Sequence, residues 1–480
     1  MSSKVLQVHG HSLGGPEKQT GGFVDPDDLR TAFALDMSRM YKEEVPLYGD
    51  LIRIVQDVNT ETFAKSINSN TLDRLTLERH GAIRLGKPME FRTVCRIFAV
   101  LGMRPVGYYD LSAAGLPMHA TCFRPVAVGS LAKNPFRVFT TLLRPELIRS
   151  KEAQALAERM LSKRSIFSPE LIQMLGVAEK QDGLYPDQAG TFIREALKTF
   201  SWAPVAAATS EEYELLKAQH PILADIACFK TAHINHLTPR TLDITMAQAA
   251  MRQQGMAVKE RIEGPPKRRW PILLRQTSFL ALAESIKFSN VTEDEAVALV
   301  QGSHRARFGE IEERGAAVTP AGRKLYDELL SKANDKAAGQ SAEVADTVME
   351  SVFEQFPDHW DELRARGLVY CEYECTGKPV PDAALADGVD KSTIADILVT
   401  AGVLSTKPIT YEDFLPFSAA GIFQSNLGNS SGQEDLPIFK GSPRQDQLEI
   451  ALDRCIIDPD QLYASAEQAS LEACLAKLSV

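Results

Sequence analysis

Residues His233–Ile244 read HINHLTPRTLDI, two histidines close together in a chain that has 9. The stretch HINHLTPR predicts a strand, and DITMAQAAMRQQG after it shows the apolar spacing of a helix. Strands are predicted next in AVKERIEG, PILLRQTSFLAL and ARFGEIEERG. The same order stands upstream: a strand HGAIRLG, a helix PMEFRTVCRIFAVLG, then strands RPVGYYDL, HATCFRPV and RVFTTLL. Each first strand carries His-x-x-x-Arg, as His80 with Arg84 and His236 with Arg240, and each helix ends in Gly-Met, at Gly102-Met103 and Gly255-Met256. A repeated element order with shared landmarks predicts two duplicated βαβββ modules.

The repeat separates the two histidines. Strand side chains alternate faces, so His233 and His236 do not share one. His236 matches His80, whereas His233 matches Leu77 and is expected to pack or to support the site. Pairing the modules about a pseudo-twofold axis brings His80 and His236 to a shared trough. The closing strand of the second module, FGEIEERG, adds Glu310 and Glu312 on one face, with Glu313 on the other. RVFTTLL, its counterpart, has no carboxylate. Two histidines and one carboxylate from this strand, with positions left open, suit non-haem Fe(II) oxygen chemistry. On the residues alone, Glu310 and Glu312 are equal candidates, as are Arg84 and Arg240 for binding an anion. An ion pair with a nearby acid is the structural alternative for Arg84.

The remaining chain frames these modules. With 480 residues, 44% hydrophobic and 24% charged, it has an ordinary globular composition and room for more than one unit. Expected divisions are a helical segment over 1–70, modules over 71–150 and 225–320, a helical insertion over 151–224, and a mainly helical region over 321–480. The fold class is therefore α+β, a curved mixed sheet around a metal site with large helical additions. A net charge of −10 argues against nucleic acid, since acidic surfaces gain nothing from counterion release. The basic run PPKRRWP reads as a solvated turn. No apolar stretch is long enough to span a bilayer, and the start lacks a secretory h-region. The 7 scattered cysteines, CEYEC among them, are expected to be idle thiols in a reducing cytoplasm.

These blocks also carry a resemblance. INHLTPRTLDI and FGEIEERG resemble the opening and closing strands of vicinal oxygen chelate modules. LERHGAIRLG, INHLTPRTLDI, RFGEIEERGAAVTPAGRKLYD and EDFLPFSAAGIFQSNLG together resemble the 2-oxoadipate dioxygenase/decarboxylase family. The resemblance implies an Fe(II) enzyme of lysine breakdown that converts 2-oxoadipate and O2 into 2-hydroxyglutarate and CO2. It implies His80, His236 and Glu310 as metal ligands, and so makes Glu312 dispensable. It sets His80, Arg84, Phe417 and Ser418 against the substrate, the last two in the loop FLPFSAAGIF. The family has a valine where this chain has Phe417. An elongated diacid would reach from the metal to Arg84, since four strand residues span roughly 13 Å, and the guanidinium fork suits a carboxylate. The alternatives are a Zn- or Ni-dependent isomerase or lyase on the same fold, and a protein that only binds a small ligand.

Overall fold

The structure, a computed structural model, describes residues 22–64, 71–112, 115–291, 297–385, 390–415 and 442–479. The first module is β1 (Arg79–Leu85), the helix Pro88–Val100, β2 (Arg104–Asp110), β3 (Met118–Arg124) and β4 (Arg137–Leu143). Its strand order is β2-β3-β4-β1, with β1 parallel to β4 and the other neighbours antiparallel. The two-residue β5 (Val205–Ala206) lies in the helical segment between modules. The second module opens with β6 (His236–Pro239) and the helix Ile244–Gln253. It continues through bridges at Val258 and Glu263 to β7 (Leu274–Ser278), which pairs antiparallel with β10 (Glu310–Arg314). A parallel bridge Arg240↔Glu312 returns β10 to the end of β6. The pattern of the first module is thus repeated, and antiparallel pairing of β1 with β6 joins the two halves.

This is the paired βαβββ arrangement of a vicinal oxygen chelate fold. The helix ends repeat as well. Gly102 and Gly255 have φ of 70° and 77°, a conformation that glycine adopts without a Cβ penalty. Gly102 donates to Ala99 and Met103 to Phe98, just as Gly255 donates to Arg252 and Met256 to Met251. The Gly-Met landmark is therefore a shared helix stop.

Alternation along the central strands decides what faces the site. Ile83 and Leu85 of β1, Leu237 of β6 and Ile311 of β10 enter the large apolar core with the surrounding helices. His80, Ala82, Arg84, His236, Thr238, Glu310 and Glu312 occupy the opposite faces of the same strands. Two N-terminal helices fix the chain around the site. From Pro26–Glu44, the Tyr41 hydroxyl lies 2.9 Å from the Asn235 carbonyl and 2.7 Å from that of Phe308. From Pro46–Ala64, the Asn59 amide donates to the Arg240 carbonyl and accepts from the Leu242 N–H.

The second module departs from the expected strands. AVKERIEG makes isolated bridges rather than a regular strand, and two prolines follow at Pro265 and Pro266. Leu273, with φ of 54°, interrupts PILLRQTSFLAL just before β7. Between β7 and β10 the chain inserts a hairpin of β8 (Glu284–Val291) and β9 (Val297–His304), which pairs with β5 and which the sequence reading left unassigned. CEYEC is a strand, β11 (Cys371–Cys375), paired with β12 (Leu404–Pro408). In PPKRRWP, Lys267 and Arg269 are exposed, but Arg268 donates to the carbonyls of Phe353, Phe356 and Pro357.

Candidate metal centre

Antiparallel pairing of β1 and β6 sets His80 opposite Thr238 and Ala82 opposite His236. Both histidines thus lie on one face, their rings 5.5 Å apart and nearly perpendicular. β10 brings Glu310 against them, its Oε2 2.9 Å from His80 Nε2 and 3.7 Å from His236 Nε2. One ligand atom from each of the three residues lies within 4.8 Å of the others, and all three side chains are buried. Thr238 Oγ1 and Gln276 Nε2 also donate to Glu310 Oε2, at 2.9 and 3.1 Å. Glu310 Oε1 and His236 Nδ1 are buried without a hydrogen-bond partner among the described residues. Phe414 and Phe308 wall the site, 5.0 Å from His80 and 4.7 Å from His236.

These groups fit a divalent cation. Burial pushes the His236 pKa down to about 3, which leaves the neutral imidazole that a metal requires. Burial raises the Glu310 carboxyl, but His236 and His80 outweigh it, so Glu310 remains a carboxylate. Burial likewise disfavours charged His80, yet Glu312 and Glu310 hold its pKa above the ordinary value. The same negative field would act on a cation held between these side chains.

Glu312, which the family resemblance makes dispensable, also lies against His80. Its Oε2 lies 3.2 Å from His80 Nδ1, and it is ion-paired with Arg137 of β4. Arg137 lies directly opposite His80 in the β1–β4 register and stacks over the Phe414 ring. The network continues through Arg314 to Glu78 and Glu412. Arg240 is part of it, at 3.3 Å from Glu78.

Arg84 is 3% exposed and its Nη1 donates to Asp225 at 2.5 Å. The ion pair set out as its structural alternative is therefore present. Arg84 shares a face with His80 and is near enough to His236 to help depress its pKa. Asp225 in turn meets His233 and His304, a second buried group of one carboxylate and two histidines. The sequence reading gave His233 a supporting place but missed Asp225, a lone acid in the apolar run PILADIACF. Phe417 and Ser418 lie outside the described residues.

Comparison with known proteins gives these groups a family. The model of the 2-oxoadipate dioxygenase/decarboxylase family matches residues 33–426. A 2-oxoadipate dioxygenase/decarboxylase of Pseudomonas putida is 45% identical over 469 residues, covering 95% of this chain and 98% of the relative. One from Escherichia coli is 45% identical over 461 residues, with 94% and 98% covered. Among solved structures, the hydroxyglutarate synthase of Pseudomonas putida in complex with 2-oxoadipate superposes with a TM-score of 0.83 at 43% identity, covering 96% of this chain and 100% of that one. The chain belongs to the 2-oxoadipate dioxygenase/decarboxylase family of enzymes.

Proposed function

We propose that this enzyme uses Fe(II), held by His80, His236 and Glu310, to convert 2-oxoadipate and O2 into 2-hydroxyglutarate and CO2. The observation that carries this reading is the convergence of two imidazoles and one carboxylate within 4.8 Å, with Glu310 Oε1 unpartnered among the described residues. Two histidines and one carboxylate with open positions suit non-haem iron better than a closed structural site. Iron(II), when bound, supplies a Lewis acid for the 2-oxo acid and the means to activate O2. The atoms balance with no further reductant. The substrate loses its first carbon as CO2, and the products together hold both atoms of O2.

The protein's own groups hold and orient. Thr238 and Gln276 fix Glu310, and Glu312 with Arg137 fixes the far edge of the His80 ring. Arg84, on the same strand face as His80, receives the distal carboxylate of the diacid, while Phe414 and Phe308 limit water around the histidines. Phe417 and Ser418 complete the substrate pocket in this reading, which rests on the family motif. A place in lysine breakdown rests on the same ground. Among the described residues no helix is long and apolar enough to cross a membrane, and all seven cysteines are free, which supports a reducing cytoplasmic setting.

The test is anaerobic loading with Fe(II), followed by O2 uptake on a panel of 2-oxo acids. One CO2 and one 2-hydroxyglutarate per O2 are expected with 2-oxoadipate. Conversion without O2 would overturn the reading in favour of an isomerase or lyase.

A further inference from the structure

Resting on Arg84 as the anchor for the distal carboxylate, we propose that Asp225, fixed by His233 and His304, is a positioning residue that aims the Arg84 guanidinium. It thereby sets the preference for a 2-oxo diacid over a 2-oxo monoacid.

Asp225 lies on the short helix Pro221–Ala227 and is 3% exposed. Its two oxygens have separate tasks. Oδ1 accepts from His233 Nε2 at 3.0 Å and from His304 Nε2 at 2.9 Å. Oδ2 accepts from Arg84 Nη1. Burial works to raise the carboxyl, but Arg84 and the two histidines hold it well below the usual range, so it remains an anion. The imidazoles are themselves fixed. The Tyr213 hydroxyl lies 2.9 Å from His304 Nδ1, which sets the tautomer that donates from Nε2. Trp202 stacks on His304 and meets His233 edge-on, with ring centres 5.9 and 4.6 Å apart. Phe229 closes on both rings.

The chain goes to some length to assemble this group. His233 precedes β6, and His304 is the last residue of the hairpin inserted into the second module. The hairpin interrupts the four-strand pattern and delivers a donor to Asp225. A long arginine side chain has many rotamers, and a fixed carboxylate behind it selects one, so less freedom is lost when substrate binds. Three donors converge on Asp225. An amide in its place must turn its own N–H toward one of them, which breaks either the histidine support or the hold on Arg84. The same three residues have the types of a metal site. Arg84, however, already occupies Oδ2 and places a fixed positive charge beside it.

The experiment compares wild type, Asp225→Asn, His304→Gln, His304→Phe and Arg84→Ala as Fe(II)-loaded proteins without O2. Dissociation constants are measured by calorimetry for 2-oxoadipate and for 2-oxohexanoate, which lacks the distal carboxylate, alongside iron content. Asp225→Asn should weaken 2-oxoadipate by about tenfold or more and 2-oxohexanoate by less than about threefold, with iron unchanged. His304→Gln keeps an N–H donor and should retain the preference; His304→Phe should lose it. Equal weakening of both ligands, or of neither, would overturn the proposal. So would a second bound iron that disappears in Asp225→Asn. If Asp225→Asn does not fold, the two His304 variants decide the matter. An unchanged preference in Arg84→Ala defeats the anchor reading itself; a lost preference there with an intact one in Asp225→Asn defeats only the positioning.

Discussion

Glu312 Oε2 stands 3.2 Å from His80 Nδ1, on the ring edge opposite the one that meets Glu310. The two carboxylates of one strand therefore grip one imidazole from both sides. A ligating histidine is oriented by the acceptor on its other nitrogen, and losing that acceptor typically costs about 10–100-fold in metal affinity. Glu312→Gln should lower Fe(II) affinity by about that factor, read by competition with a metal-sensitive dye. Unchanged affinity would confine Glu312 to its ion pairs. Glu312→Ala should in addition cost about 3–5 kcal/mol of stability, because buried Arg137 loses its nearest carboxylate and keeps only Glu412, at 3.9 Å.

Glu310 is expected to link metal binding to folding. A ligand that binds only the native state at a hundred times its dissociation constant adds about 2.7 kcal/mol. Fe(II) under anaerobic conditions should therefore raise the Tm of the wild type, and Glu310→Ala should abolish the rise while remaining folded. A full rise in Glu310→Ala would remove Glu310 from the ligand set.

For Arg84 the expected loss lies in substrate binding. Truncating one partner of a buried charge pair costs about 2–5 kcal/mol. Arg84→Ala should raise KM for 2-oxoadipate steeply with iron still bound. Stability should also fall, since Asp225 loses its cationic neighbour. An unchanged KM with the same fall in Tm would make Arg84 a structural residue only.

The fate of oxygen tests the reaction itself. With labelled O2, one labelled atom should enter the carboxylate left after CO2 departs and one the new hydroxyl. Exchange with solvent can dilute the hydroxyl label, so the carboxylate is the decisive position. A carboxylate carrying only solvent oxygen, measured by mass spectrometry, would rule out the dioxygenase route.

How much of this could be read from the sequence follows from the range of each interaction. HGAIRLG and HINHLTPR were legible because strand alternation and the Gly-Met helix stop are local, and they recur. The facing of Glu310 and Glu312 followed from the same alternation. Arg137 and Asp225 were not legible. Arg137 matters because β4 lies beside β1, and Asp225 because a helix, a loop and a hairpin meet at one carboxylate. Both are products of tertiary placement, which periodicity does not encode. The β8–β9 hairpin is not legible for a related reason: it lies outside the duplicated pattern.

The two halves are similar in path and unlike in chemistry. By the β1–β4 and β6–β10 registers, the places of Glu310 and Glu312 correspond in the first half to Phe139 and Thr141. Phe139 packs against Phe414 at 5.0 Å instead of presenting an anion. A dimer of identical modules would have to carry the carboxylate twice or not at all. Fusing the modules in one chain lets one half keep the acid and the other become an apolar wall. The site between the modules consequently has a distinct head and tail, and an elongated guest with unlike ends would have one sense in which to lie.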